Sequence, residues 1–181
     1  MTSDTTAVAH AKLMRGDTDP VLMAALAILV IASATIAGAW FFQLVLDIKP
    51  CPLCLEQRYA YYAIIPLSAL IAFVAWRGGP RAVLFLGLAL LLIAGLGNAA
   101  FGAYHAGVEW GFWKGPTDCT GPLVDFGKAA NLLEQLDKVK VTRCDEVQWR
   151  FLGLSLAGYN ALISLAMAAV AGLGIARAVQ R

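Results

Sequence analysis

Long stretches without charge dominate the pattern of polar and apolar positions along this chain. Four of them, each 18 to 27 residues long, contain no Asp, Glu, Lys or Arg; they cover residues 20–46, 59–76, 82–104 and 151–176. A helix rises about 1.5 Å per residue, so about 20 apolar residues cross the ~30 Å hydrocarbon core of a bilayer. Each stretch is long enough, or nearly so, to form a helix that spans a membrane.

The polar segments between these stretches divide the chain. A polar tail covers residues 1–19, and a short basic tail covers residues 177–181. Between the tails we predict spans over about residues 20–46, 55–76, 82–104 and 151–176, with connections at residues 47–54, 77–81 and 105–150. The expected fold is therefore all-α. It is a single transmembrane four-helix bundle over residues 20–176, with a long extracytoplasmic loop between helices three and four.

Composition agrees with a membrane protein. Of the 181 residues, 60% are hydrophobic and 14% are charged, whereas about 25% are charged in an average soluble domain. This excludes a soluble globular enzyme, and the net charge of +2 is too small to suggest nucleic-acid binding. The first apolar stretch of 27 residues is longer than the core of a signal peptide. Lipid favours close packing between helices through small residues, such as Ala94, Gly95, Gly97, Ala99, Ala100 and Gly102.

Positive charges near the spans predict the orientation of the bundle. Arg77 and Arg81 form a turn without acids, and both tails carry Lys or Arg. Such residues favour the cytoplasmic side, so we expect both termini to be cytoplasmic and the other two connections to lie outside. In the longer one, the apolar spacing over residues 122–141 predicts a short amphipathic helix. It either lies on the membrane surface or packs on the end of the bundle.

Four cysteines are the candidates for chemistry, and none lies inside a predicted span. Cys51 and Cys54 form a Cys-Pro-Leu-Cys pair, and the long loop contains Cys119 and Cys144. On the outer side both pairs face an oxidising compartment, in which disulfides persist. A haem attachment needs a His after the second cysteine, where Leu55 stands instead. A four-cysteine zinc site usually has two short knuckles, and the later pair is too widely spaced for one.

A structural disulfide is the plain alternative for these cysteines. It explains Cys119 and Cys144 well, because closing a loop of that size constrains the unfolded chain by about 3 kcal/mol. It explains Cys51 and Cys54 poorly, since so small a ring constrains almost nothing and two neighbouring prolines already stiffen it. The short pair is therefore predicted to be chemically active.

Arg58 and His105 are the candidate partners of the short pair. Arg58 lies one helical turn after Cys54 on the same face. A helix N-terminus and a nearby cation both stabilise a thiolate, and the cation is also suited to an anion on a bound acceptor. His105, where the third helix leaves the membrane, is placed to donate to that acceptor or protonate it. The alternatives are a headgroup anchor for Arg58 and an interfacial histidine without a role.

Three motifs together resemble the DsbB family, the bacterial disulfide bond formation protein B. They are Cys51-Pro-Leu-Cys54-Leu-Glu-Gln-Arg58, Tyr104-His105-Ala-Gly-Val-Glu-Trp110, and Cys144 followed by Gln148-Trp149-Arg150-Phe151-Leu152-Gly153-Leu154. The likeness extends over about residues 40–159 and includes the order of the four cysteines. It implies a membrane protein-dithiol:quinone oxidoreductase. Such an enzyme reoxidises a periplasmic DsbA-like thioredoxin-fold oxidase and so drives disulfide bond formation.

The resemblance also implies a role for each site residue. The partner's thiolate would attack Cys119, Cys144 would be released and exchange with Cys51, and Cys54 would be the thiolate facing the quinone. Arg58 and His105 would lie beside the quinone ring, and the quinone would be ubiquinone or menaquinone. The implied location is the bacterial inner membrane, with both termini cytoplasmic and the redox loops, residues 47–54 and 105–150, periplasmic. No metal is expected.

Two other classes of function stay open as alternatives. A tetraspan structural protein with one stabilising loop disulfide would tolerate replacement of Cys51 and Cys54. A membrane metal carrier would use the same two thiols as soft ligands and would lose copper or zinc binding on alkylation. Neither explains why two cysteine pairs face one compartment.

Overall fold

Four long apolar helices make up most of the part of the chain that the structure describes. This computed structural model describes residues 19–116 and 143–180. Its helices are α1 (Pro20–Leu44), α2 (Pro52–Trp76), α3 (Arg81–Glu109) and α4 (Leu156–Val179). Each is long and apolar enough to cross a membrane, so the predicted all-α, four-helix membrane fold is confirmed. The amphipathic helix predicted over residues 122–141 lies outside the described residues.

Side-chain caps fix where three of these helices begin. Asp19 accepts a hydrogen bond from the backbone N–H of Val21 at 2.9 Å, ahead of α1. Ser155 accepts one from the N–H of Gly158 at 3.2 Å, ahead of α4. Cys51 caps α2, and the proline that follows it suits the first helical position because its φ is fixed. These caps satisfy amide protons that a helix start leaves without partners.

Two helices extend beyond the predicted spans on the side of the cysteines. α2 begins at Pro52 rather than at about residue 55, and α3 continues to Glu109, past residue 104. The predicted spans end near the first polar residues because lipid excludes such groups. Here His105 is buried within the protein instead, so the helix continues through it.

A short hairpin precedes α4. Strand β1 (Arg150–Phe151) pairs antiparallel with β2 (Leu154–Ser155). Between them Leu152 and Gly153 have φ angles of 49° and 83°, in the left-handed region that an α-helix does not visit. The fourth helix therefore begins at Leu156 instead of residue 151, which corrects the predicted span.

Small residues allow α3 to pack closely against α4. A Cβ atom on Gly102 would lie 2.9 Å from the backbone nitrogen of Ala161, and one on Gly95 would lie 3.1 Å from Cβ of Ala168. The close approach predicted from the small residues of α3 is confirmed at these two glycines but not at Gly97, where an added Cβ would meet no neighbouring side chain or helix within 4 Å. Around it, the largest fully buried apolar side chains are Ile28, Ile64, Leu88, Leu91 and Met167.

We expect Gly102→Val to destabilise the protein by about 1–3 kcal/mol more than Gly97→Val, the usual range for overpacking. Both changes put the same side chain on α3, but no atom lies within 4 Å of a Cβ added at Gly97. Thermal unfolding in detergent, followed by circular dichroism, measures the difference. Equal melting temperatures for the two variants would contradict the tight contact between α3 and α4.

Candidate active site

Cys51 and Cys54 meet at the first turn of α2. Cys51 has an extended backbone ahead of the helix, and its sulfur accepts a hydrogen bond from the backbone N–H of Cys54 at 3.3 Å. The two sulfur atoms are hydrogen-bonded 2.8 Å apart, and both residues are free cysteines. The start of the helix thus aligns the pair so that the loss of two electrons and two protons joins the sulfurs in a disulfide.

Negative charge on Cys51 is stabilised from two helices. Its side chain is buried, and its sulfur lies 3.6 Å from Nε2 of His105 on α3. The hydrogen bond with the Cys54 side chain lowers the pKa of the Cys51 thiol most, and the interactions with His105 add to it. Together they bring the pKa from 9.0 to about 5, although burial opposes the shift. Cys51 is therefore a thiolate at neutral pH, the nucleophilic form in disulfide exchange.

Arg58 connects α2 with α1. Its Nη1 donates to Oε1 of Gln43 at 2.7 Å, and its Nη2 donates to the carbonyl oxygen of Ala39 at 3.4 Å. The sequence predicts that a helix N-terminus and Arg58 stabilise a thiolate at Cys54. The structure gives the capping position to Cys51 and directs these hydrogen bonds of Arg58 toward α1.

Cys144 brings a disulfide to the same place. It is buried and disulfide-bonded, whereas Cys119 lies outside the described residues. The sulfur atoms of Cys144 and Cys51 and a ring nitrogen of His105 all lie within 4.8 Å of one another. A thiolate beside a disulfide sulfur is the arrangement from which thiol–disulfide exchange proceeds. A metal ion at these three residues would need a deprotonated Cys144, and that sulfur is already bonded.

A buried chain of hydrogen bonds leads from His105 into the bundle. Nδ1 of His105 lies 2.9 Å from Nε2 of Gln57, and Oε1 of Gln57 accepts from Nδ2 of Asn160 at 2.6 Å. Oδ1 of Asn160 accepts from the Tyr61 hydroxyl at 2.6 Å and from Nδ2 of Asn98 at 3.3 Å. Among the described residues, every buried side-chain nitrogen and oxygen atom has a hydrogen-bond partner.

The sequence reasoning missed this chain. A signal exists for Asn98 and Asn160, because amides inside apolar spans are costly in lipid and are expected to face other helices. Gln57 belongs to the first motif, but its partner Asn160 lies 103 positions later. Glu109 was missed as well; its carboxylate accepts a hydrogen bond from the hydroxyl of Ser155.

An apolar cavity of about 530 Å³ lies beside the cysteine pair. The rings of Phe42 and Trp149 form part of its wall, with centroids 5.0 Å apart. Its volume is within the range of small-molecule sites, roughly 300–1,000 Å³. The structure thus brings four of the predicted site residues to one cavity, which also includes an acid from α3. The four predicted residues are Cys51, Cys54, Arg58 and His105, and the acid from α3 is Glu109.

Comparison with known proteins adds independent evidence. Residues 22–174 match the family model described as Disulfide bond formation protein DsbB. Disulfide bond formation protein B of Marinobacter nauticus is 31% identical over 148 residues, which cover 75% of this chain and 80% of that protein. Disulfide bond formation protein B 2 of Burkholderia lata is 37% identical over 150 residues, which cover 81% of this chain and 83% of that protein. The similarity therefore extends through the helices and through the site.

Proposed function

Because the chain belongs to the DsbB family of disulfide bond formation proteins, we propose that it reoxidises a periplasmic DsbA-like dithiol protein and passes two electrons to membrane quinone. Membership of this family makes it a disulfide-forming oxidoreductase with four membrane-spanning helices. One observation carries the proposal. The sulfur of Cys51 lies 2.8 Å from the sulfur of Cys54 and within 4.8 Å of the disulfide-bonded sulfur of Cys144.

Two exchanges bring the electrons to the short pair. The partner's dithiol first reduces the loop disulfide, which we assign to Cys119 and Cys144. The partner's own disulfide forms as it gives up two electrons and two protons. The thiolate of Cys144 then attacks Cys51 in an oxidised Cys51–Cys54 pair, and Cys119 displaces Cys51 from Cys144. The loop disulfide is restored and the short pair becomes a dithiol. Two observations support this end state: Cys144 is disulfide-bonded, and Cys51 and Cys54 are free cysteines.

Oxidation of the short pair completes the cycle. The thiolate of Cys51 and the thiol of Cys54 join in a disulfide, which releases two electrons and one further proton. A bound quinone supplies the acceptor for two electrons and two protons. Cys54 and His105 keep the sulfur of Cys51 ionised until this step, because the sulfur of Cys54 is 2.8 Å away and Nε2 of His105 is 3.6 Å away.

The cavity fits a quinone by its size and by the chemistry of its lining. A flat conjugated headgroup matches the apolar walls, which include Phe42 and Trp149. Arg58 and His105 would hold its oxygen atoms, and Cys54 lines the same space. Ubiquinone and menaquinone share this flat dione headgroup, so both belong to the proposed class of acceptor.

We assign the chain to the bacterial inner membrane, with both termini cytoplasmic and residues 47–54 and 105–150 periplasmic. The arginines at the opposite end of the helices from the cysteines support this orientation. Arg77 lies over the rings of Phe73 and Trp76, and Arg81 donates to the carbonyl oxygen of Ala178 at 2.9 Å.

A coupled assay tests the proposed function. The purified protein in detergent is mixed with a reduced thioredoxin-fold dithiol protein and a soluble quinone, and the quinone absorbance is followed. We expect quinone loss that requires both Cys51 and Cys119, as shown by serine variants. No loss with any reduced donor would overturn the proposal. Unimpaired disulfide formation in the Cys51→Ser variant would instead favour the structural alternative.

We expect Arg58→Ala to raise the apparent KM for quinone about tenfold or more and to leave the disulfide of Cys144 intact. The change removes a cation from the cavity, and hydrogen bonds to charged groups contribute about 1.5–3 kcal/mol. Arg77→Ala, at the other end of α2, is the control and should leave the quinone kinetics unchanged. Equal KM values for the two variants would refute the role assigned to Arg58.

A further inference from the structure

We propose that Gln57 and Asn160 are positioning residues that hold His105 with its Nε2 proton directed at the sulfur of Cys51. The inference rests on the proposed function, since it explains how the sulfur of Cys51, which leaves the exchange as a thiolate, is kept ionised until the short pair is oxidised. Gln57 is on α2, His105 on α3 and Asn160 on α4, so three helices contribute to one orientation.

The direction of each hydrogen bond fixes the position of the proton on His105. Oε1 of Gln57 accepts from Asn160 at 2.6 Å, which leaves Nε2 of Gln57 as the atom 2.9 Å from Nδ1 of His105. An amide nitrogen only donates, so Nδ1 of His105 accepts. The neutral ring must then carry its proton on Nε2, which lies 3.6 Å from the sulfur of Cys51.

Asn160 is itself held in one orientation. Its Oδ1 accepts from the hydroxyl of Tyr61 and from Nδ2 of Asn98. The amide of Asn98 also donates to the hydroxyl of Ser164 at 2.9 Å, and Ser164 is fully buried. Rotating the amide of Asn160 by half a turn would set its nitrogen against these donors and its oxygen against the oxygen of Gln57. The whole network therefore selects one state of His105.

Loss of this network would change what His105 offers to Cys51. If nothing donates to Nδ1, a neutral imidazole is free to carry its proton there and to present the lone pair of Nε2 to the sulfur. A lone pair disfavours a thiolate, whereas an N–H group stabilises it. Interactions with His105 are among those that lower the pKa of Cys51, so the ionisation of Cys51 reports the state of the ring.

Other titratable side chains line the cavity together with Cys51, and none of them is replaced in the test. Lys49 lies in the connection before α2, and α2 contributes Cys54, Arg58 and Tyr61. From α3 come His105 and Glu109. The segment before α4 contributes Arg143 and Glu146, and α4 contributes Tyr159. Because neither Gln57 nor Asn160 carries a charge, replacing them by leucine alters the hydrogen bonds without changing the charge of this set.

The test follows alkylation of Cys51 as a function of pH in the full chain with Cys119→Ser and Cys144→Ser. Iodoacetamide is the probe, and fragment-ion mass spectrometry separates Cys51 from Cys54. Gln57→Leu and Asn160→Leu should each raise the apparent pKa of Cys51 by about one unit. The control is Ser68→Ala, another buried polar residue of α2, whose hydroxyl donates to the backbone oxygen of Ile65. It should leave the pKa unchanged.

A second measurement needs no substitution at the network. The ¹⁵N chemical shifts of the imidazole nitrogens of His105 distinguish a proton on Nε2 from one on Nδ1. The chain has two histidines, so a His10→Gln variant assigns the signals. We expect the proton on Nε2. A proton on Nδ1, or leucine variants that titrate like the parent, would overturn the inference.

Failure of the proposed function would look different. Neither measurement includes a partner protein or a quinone. Shifted titrations together with absent quinone turnover would therefore leave the positioning role standing and remove only the proposed electron acceptor.

Discussion

Replacing Cys54 by serine is expected to abolish quinone reduction and to leave Cys51 joined to Cys144. In the proposed cycle Cys54 provides the second sulfur of the short disulfide, so without it the pair cannot be oxidised. In the structure the sulfur of Cys51 lies within 4.8 Å of the disulfide-bonded sulfur of Cys144, and exchange with that sulfur is then the reaction available to Cys51. The expected product is a disulfide between the two loops and a free thiol at Cys119.

Peptide mapping under non-reducing conditions after an acid quench measures this product, and the coupled assay measures the loss of turnover. Cys51→Ser is the matched control, because it should also stop turnover but cannot form the new disulfide. Turnover retained by Cys54→Ser would refute the role of Cys54. If the two variants showed the same disulfide map, the attack of Cys51 on Cys144 would be refuted instead.

The fold follows from the sequence because lipid imposes a simple rule on it. Stretches free of charge over 18 to 27 residues have few structures other than spanning helices open to them. The error at the start of α4 has the same origin, since the hairpin around Leu152 and Gly153 is as free of charge as the helix that follows. Only the left-handed backbone at Leu152 and Gly153 separates the hairpin from the helix.

The site is predictable only as far as short-range spacing extends. The Cys-x-x-Cys pair and Arg58 lie within two turns of one helix, so their proximity follows from the sequence. Which of the two cysteines is the stabilised thiolate does not follow from the sequence, because it depends on whether α2 begins before or after Pro52. The link from Gln57 to Asn160 depends on how α2 packs against α4, and no local pattern encodes that.

The reactivity of Cys51 in the reduced protein is expected to be nearly constant at neutral pH and to fall by half near pH 5. The hydrogen bond with Cys54 and the interactions with His105 lower the pKa of Cys51 from 9.0 to about 5. At pH 7 this gives about a hundredfold more thiolate than an ordinary thiol of that type has. The pH profile of Cys51 alkylation, read by mass spectrometry, measures the midpoint.

Cys54→Ala should move that midpoint upward, toward 9.0, because the side chain that lowers the pKa most is removed. The linked effect on stability has a definite sign. The folded protein holds its Cys51 proton less tightly than the unfolded chain does. The lowered pKa of Cys51 therefore stabilises the folded protein fully above pH 9.0, the pKa of the unfolded thiol. This stabilisation is lost as the pH falls toward about 5, the pKa in the folded protein. A parent midpoint near 9.0, or a reduced protein that gained stability on acidification over this range, would show that Cys51 is not the stabilised thiolate.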